Sequence, residues 1–127
     1  MSQVSILTIT NNIDCLENLY HIIQRQRYVH IKEWIIVEGS QHLDLHLENI
    51  QRLHQFISEK ETHTDIEIRG IHYEDLLPLS SLRNLGNDTC RGDVIIYMND
   101  NEDYPPTYIP SIVRLLIENH RYTESEP

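Results

Sequence analysis

Five consecutive polar residues, Asn99-Asp100-Asn101-Glu102-Asp103, follow directly on the apolar run Val94-Ile95-Ile96-Tyr97-Met98. A buried strand that breaks into clustered oxygen side chains can hold a hard cation or a phosphate group, because carboxylate and amide oxygens both ligate such ions. Just upstream lie Arg83-Asn84 with Gly86, read as a polar turn, and then Gly92-Asp93. Arg83 suits a phosphate, since its guanidinium stays charged and its planar fork matches two oxygens at once. Two more polar clusters close apolar runs: Thr10-Asn11-Asn12 near the start of the chain, and Glu38-Gly39-Ser40 after residues 32–37. A carboxylate such as Glu38 accepts from N–H donors, and Gly39 lets the backbone approach a ligand closely.

The elements that must position these residues are legible in the hydrophobic pattern. Residues 4–10 (VSILTIT) and 32–37 (KEWIIV) are apolar and β-branched, as strands buried on both faces are. Residues 64–71 alternate, which predicts a more exposed third strand, and residues 94–98 form a fourth. Helical spacing predicts a helix over 15–25 after an Asp14 N-cap, another over 43–59 with Leu43, Leu47, Ile50, Leu53 and Ile57 on its buried face, and a last one over 105–120. In that last helix Ile109, Ile112, Val113, Leu116 and Ile117 are expected to face inward, with Pro106 and Pro110 tolerated at its start. Residues 76–90 are polar and turn-rich, with a helical part. The order β-α-β-α-β-α-β-α predicts an α/β domain with a mostly parallel four-stranded sheet flanked by helices. In such sheets ligands sit beyond the carboxyl ends of the strands, where three of the polar clusters fall.

Composition narrows the field further. The 127 residues suit one domain, with no internal repeat, linker or low-complexity tract. Twenty acidic against ten basic residues give a formal charge of -10, which excludes a general nucleic-acid binder lacking any basic face. No apolar run approaches the length of a membrane span. The first residues carry no signal-peptide signature, and Cys15 and Cys90 are too few for a disulfide framework, so a cytoplasmic setting is expected. His42 and His46 share an i,i+4 spacing, but no H-E-x-x-H pattern or cysteine cluster joins them, and His21, His30, His54, His63, His72 and His120 are scattered. The histidines therefore read as structural or solvated. Trp34 and Cys15 read as packing residues, and Arg91 beside Cys90 is expected to lower its pKa.

Taken in order, these landmarks resemble the nucleotide-binding half of a family 2 type glycosyltransferase with the GT-A fold, a Rossmann-like arrangement. Thr10-x-Asn12 after the first strand is similar to the family's "P-T-x-N" turn, with Ile9 in place of the proline. Ile35-Ile36-Val37-Glu38-Gly39-Ser40 is similar to "I-I-V-D-D-G-S", with one acid fewer. Arg83-Asn84-x-Gly86 and Gly92-Asp93 resemble "R-N-x-G…G-D", and residues 94–106 resemble the strand that carries the D-x-D motif and its "D-Y-Y-P-P" sequel. The resemblance covers nearly the whole chain.

It implies a domain over residues 1–121 that binds a nucleotide-diphosphate sugar, with a disordered tail over 122–127. It implies nucleotide contacts from Thr10, Asn12, Glu38, Gly39, Ser40, Arg83 and Asn84, and a Mn²⁺ or Mg²⁺ site at Asn99, Asp100 and Asn101. The activity implied is transfer of the sugar to an acceptor hydroxyl, and the alternative is a catalytically inactive binding or interaction module. The chain departs from the pattern at the metal motif, where Asn99 and Asn101 replace both outer acids. In the family an acceptor-binding half bearing the general base follows this region. No catalytic residue can be named here, and an apolar face left open where that half would pack implies self-association or a missing C-terminal domain.

Overall fold

The computed structural model describes residues 2–71, 73 and 75–125, those from 120 onward as backbone only. His72 lies outside the described residues, as does the His120 side chain. Four strands, β1 Val4–Thr10, β2 Ile31–Glu38, β3 Glu67–Ile71 and β4 Val94–Tyr97, form one sheet in the order β3-β2-β1-β4. Every pairing is parallel, with Ile6 opposite both Trp34 and Ile96. The helices are α1 Leu16–Gln24, α2 Leu43–Lys60, α3 Leu79–Thr89 and α4 Tyr108–Ser125, with short 3₁₀ turns at Ile13–Cys15 and Glu61–His63. The expected α/β architecture is thus present.

Strand pleating divides the core in two. Even-numbered residues of β1 and β2, among them Ile6, Trp34 and Ile36, pack with side chains of α1, α2 and α4. Odd-numbered residues, among them Leu7, Ile35 and Val37, pack with Leu82 of α3 on the other face. Trp34 is buried, donates to Thr8 Oγ1 at 2.9 Å and meets Phe56 edge-on, so its packing role holds. The start of α4 is pinned to the end of α1: the Gln26 side chain accepts from Ile109 N–H at 2.9 Å and donates to the Pro105 carbonyl at 2.8 Å.

Several expected boundaries and faces shift. The third strand starts at Glu67 because Thr64 closes a turn, accepting from Ile66 N–H at 3.2 Å. Arg83, Asn84 and Gly86 lie inside helix α3 and not in a turn. A Cβ on Gly86 would sit 2.6 Å from Leu7 Cδ1, so the glycine lets α3 press onto β1. Helix α4 starts at Tyr108 and continues to Ser125, taking in residues 122–125 of the segment expected to be disordered. Leu116 and Ile117 are exposed, contrary to expectation. An 18-residue helix is about 27 Å long, whereas a four-residue strand beneath it runs only about 13 Å, so α4 overruns the sheet.

The buried face of α2 differs most. His46, Asn49, Leu53 and Phe56 are buried, while Leu43 and Leu47 are 49% and 53% exposed. The cause is a carboxylate. Glu38 is fully buried below this helix and takes its donors from His46 and Asn49. Leaving a buried charge unpaired costs several kcal/mol, more than the roughly 1.5–3 kcal/mol gained by burying a leucine.

A second buried glutamate of β2, Glu33, sits on the α3 face. It accepts from Ser5 Oγ at 2.6 Å and from Arg91 N–H at 2.5 Å, and pairs with the Arg69 guanidinium. Burial pushes its pKa up, but these three donors together outweigh burial and hold it below the ordinary carboxylate value. Cys90 responds oppositely to the sequence expectation: burial, then the Glu33 charge, raises its thiol pKa despite the neighbouring Arg91. Because the folded pKa of Glu33 is depressed, its contribution is complete above the unfolded value and disappears as pH falls through the folded one. Urea unfolding midpoints are therefore expected to drop below about pH 4.5. Glu33→Gln should lower stability near neutrality and flatten that acid limb; an equally steep limb in the variant would refute the assignment.

Candidate functional site

The residues singled out by sequence converge at the carboxyl ends of β1, β2 and β4, yet the pleat distributes them over three separate environments. The first is buried. Glu38, the last residue of β2, is even-numbered and points toward α2. Its Oε1 accepts from Ser40 N–H and faces His46 Nδ1, each at 2.8 Å. Its Oε2 accepts from Ser40 Oγ at 2.6 Å and Asn49 Nδ2 at 2.8 Å. A carboxylate has about four lone-pair sites, so all are filled from within the chain. The other His46 nitrogen, Nε2, lies 3.1 Å from the Tyr73 carbonyl oxygen. Tyr73 in turn donates its hydroxyl to the Glu38 carbonyl, and burial followed by the Glu38 charge pushes its pKa up to about 12. Asn49 also donates to the Asn11 carbonyl at 3.1 Å, tying the end of β1 into the cluster.

The second environment joins β1 to the loop after β4. Thr10 is buried, donates its hydroxyl to the Asp100 carboxylate and accepts from Asn12 N–H at 3.0 Å. Asn12 is exposed, and its side-chain oxygen caps the first 3₁₀ turn through Asp14 N–H at 3.2 Å. Asp100, Asn101, Glu102 and Asp103 line, with Arg25 at the end of α1, a cleft of about 510 Å³.

The third is an open cleft of about 560 Å³ on the α3 side, lined by Leu7, Ile9, Leu79, Arg83, Tyr97 and Asn99. Odd-numbered Tyr97 and Asn99 at the end of β4 point to this face, and Arg83 reaches it from α3. Tyr97 donates its hydroxyl to Asn87 of α3. Asn84 is exposed on α3 and does not line the cleft. Gly39 is the next odd-numbered position after Val37. Its N–H donates to the Thr10 carbonyl at 2.7 Å, and an added Cβ would lie 2.9 Å from Ile9 Cγ2. A side chain at position 39 would therefore be crowded by Ile9 and Leu82, which glycine avoids.

The implied cation can be tested against these donors. Asp100 is engaged by Thr10, and the Asn99 amide donates to Glu102 Oε1 at 2.9 Å. No group of three or more acidic, histidine or cysteine side chains among the described residues could hold a metal ion. Asn99 and Asn101 add no charge, so these residues do not fit a resident Mn²⁺ or Mg²⁺.

Sequence reasoning missed His46, Asn49 and Tyr73, which enclose Glu38, and Tyr97, which walls the cleft. The available signal for the first two was polar residues at i,i+3 within a helix that follows a strand-end acid. For Tyr97 it was parity with Asn99, two residues away on a strand.

No protein-family model and no curated sequence matches the chain. Among solved structures, the crystal structure of S. aureus TarS 1-349 matches 93% of this chain with a TM-score of 0.66 at 14% identity. The fold is glycosyltransferase-like. The chain spans 33% of that TarS chain. No helix among the described residues is long and apolar enough to cross a membrane.

The buried cluster makes a stability prediction. His46→Ala removes one donor from Glu38 and is expected to cost about 3 kcal/mol, because it strands a buried charge. Denaturant midpoints measure this; a loss below about 1 kcal/mol would mean that water replaces the imidazole without penalty.

Proposed function

We propose that this chain is the donor-binding part of a glycosyltransferase, holding a nucleotide-diphosphate sugar in the cleft between α3 and the end of β4. The observation that carries the reading is the meeting of Arg83 and Asn99, from separate elements, in one open cleft with apolar walls. The diphosphate lies against Arg83, whose fork offers charge-assisted hydrogen bonds to phosphate oxygens. The Asn99 amide offers a neutral hydrogen bond beside it. The apolar surfaces of Ile9, Leu79 and Tyr97 suit the flat faces of a base or a ribose. Thr10, Asn12 and Ser40 shape the neighbouring turns, and Glu38 acts through them as a positioning residue.

In this reading transfer to an acceptor hydroxyl belongs to the assembled enzyme. Arg83 stabilises the negative charge that gathers on the departing diphosphate. No step is assigned to a cation. The second reading, a binding module without transfer activity, is favoured by one specific observation: Glu38 has no acceptor position left for a ligand.

Isothermal titration with UDP and GDP, with and without Mn²⁺, tests the proposal. Binding is expected with little Mn²⁺ dependence, and Arg83→Ala should weaken it by about tenfold, as loss of one charge-assisted contact does. The absence of binding by either nucleotide would overturn the donor-site reading. The double variant Asn99→Asp, Asn101→Asp is expected to make binding Mn²⁺-dependent, since it supplies the two missing charges. Strong Mn²⁺ dependence in the unaltered chain would overturn the conclusion that Arg83 alone neutralises the diphosphate.

A further inference from the structure

Along α3, Leu79, Arg83 and Asn87 follow one another at intervals of four residues, so they share one face of the helix and stand one turn apart. Leu79 and Arg83 line the cleft, and Asn87 accepts the hydroxyl proton of Tyr97, which lines it from the end of β4. The Tyr97 ring is 45% exposed, and that bond ties its tip to α3. The cleft thus sets one guanidinium beside an apolar side chain and an aromatic ring of fixed position.

One base is told from another by hydrogen bonds to its edge, and a site that makes such bonds rejects the wrong partner by about 10⁴-fold. Groups able to do so are scarce here. At the turn after β2 they are used within the chain. Glu38 accepts from Ser40 and Asn49 and faces His46, the Gly39 N–H donates to the Thr10 carbonyl, and Ser40 gives both its N–H and its hydroxyl to Glu38. In the cleft itself, Leu7, Ile9 and Leu79 bring no polar side-chain atom. Asn99 donates its backbone N–H to the Tyr104 hydroxyl at 2.8 Å and an amide N–H to Glu102 at 2.9 Å. Its other amide N–H is the one that the donor reading gives to the diphosphate. With the phosphate contacts made, none of the described residues lining the cleft keeps both a free donor and a free acceptor for the edge of a base.

We propose, resting on the donor-site reading above, that this cleft takes nucleoside diphosphates without regard to their base. Arg83 holds the diphosphate, and the base lies with its face on the Tyr97 ring. Stacking on an aromatic side chain is tolerant of sequence because every base has a π-face. Charge and flatness are therefore what the cleft selects, and purine and pyrimidine nucleotides are equally its ligands.

Isothermal titration with UDP, CDP, GDP and ADP tests this on the unaltered chain, and the four dissociation constants should fall within about tenfold of one another. Tyr97→Ala should weaken all four by about fivefold or more, as loss of a stacking platform does, without weakening inorganic pyrophosphate, which has no base. Tyr97→Phe, which keeps the ring, should recover most of that loss. The comparison among the four nucleotides needs no variant, so it decides the proposal even if Tyr97→Ala misfolds. A preference of more than about tenfold for one base, or a Tyr97→Ala variant that treats nucleotide and pyrophosphate alike, would overturn the proposal and leave the donor site standing. Failure of all four nucleotides to bind would remove both.

Discussion

The Glu38 carboxylate is the constraint around which the carboxyl end of the sheet is organised. An ionised carboxylate sealed from water is tolerable only if its lone pairs are met. Here Ser40, His46 and Asn49 meet them, one at the turn after β2 and two from α2. Asn49 carries the connection to the end of β1, and His46 carries it to the segment after β3. One buried charge thereby fixes four chain segments relative to one another. It also rotates α2, since His46 and Asn49 cannot turn inward without moving Leu43 and Leu47 outward. The exposure of Leu43 and Leu47 and the turns after β1 and β2 have the same origin.

Glu33 applies the same logic to the other face and the other end of β2. Five residues separate the two glutamates, an odd number, so the pleat sends them to opposite faces. Each gathers backbone or side-chain donors from segments that the sheet alone would not hold. Glu33 fixes the turn before β4 through Arg91 and binds the edge strand through Arg69. Gly92 completes this corner: it donates to Ser5 Oγ at 2.8 Å, and a Cβ there would lie 2.7 Å from the Gln3 carbonyl. The acidic balance of the chain, read from composition as a statement about partners, is thus in part internal architecture.

Strand order, helix count and the parallel sheet were legible because they depend on period and length, which a single sequence carries. The helical faces were less so. Periodicity counts Leu43 and Leu47 as core, but it cannot see that a carboxylate at the end of β2 outbids them, since that depends on a contact from another element. The inward face of α4 failed for a geometric reason, the short strand beneath it. The candidate site was half legible. Arg83 and Asn99 do meet, and Thr10 meets Asp100. Glu38 was read by its type, as an acceptor toward a nucleotide, whereas its parity puts it on the closed face. Gly39 was read as room for a ligand's approach, yet the space beside it is filled by Ile9.

The same geometry explains why several of the residues that drew notice in the sequence serve the fold. Gly86 is there because α3 presses on Leu7, and Gly92 because the turn before β4 crosses Gln3. Asp93 accepts from Gln3 N–H at 2.8 Å and its own N–H returns the bond at 2.7 Å, joining β1 and β4 at their starts. These residues identify the fold because the sheet cannot be assembled at these contacts without them, whatever the cleft holds. The positions that would report on catalysis are those under no such demand, the exposed side chains at 83, 99 and 101. Two of these, Asn99 and Asn101, are amides where the resemblance implies acids. Only Arg83 carries a charge into the cleft. A function that rests on this cleft therefore rests on one guanidinium, and the remainder of the motif testifies to how the chain folds.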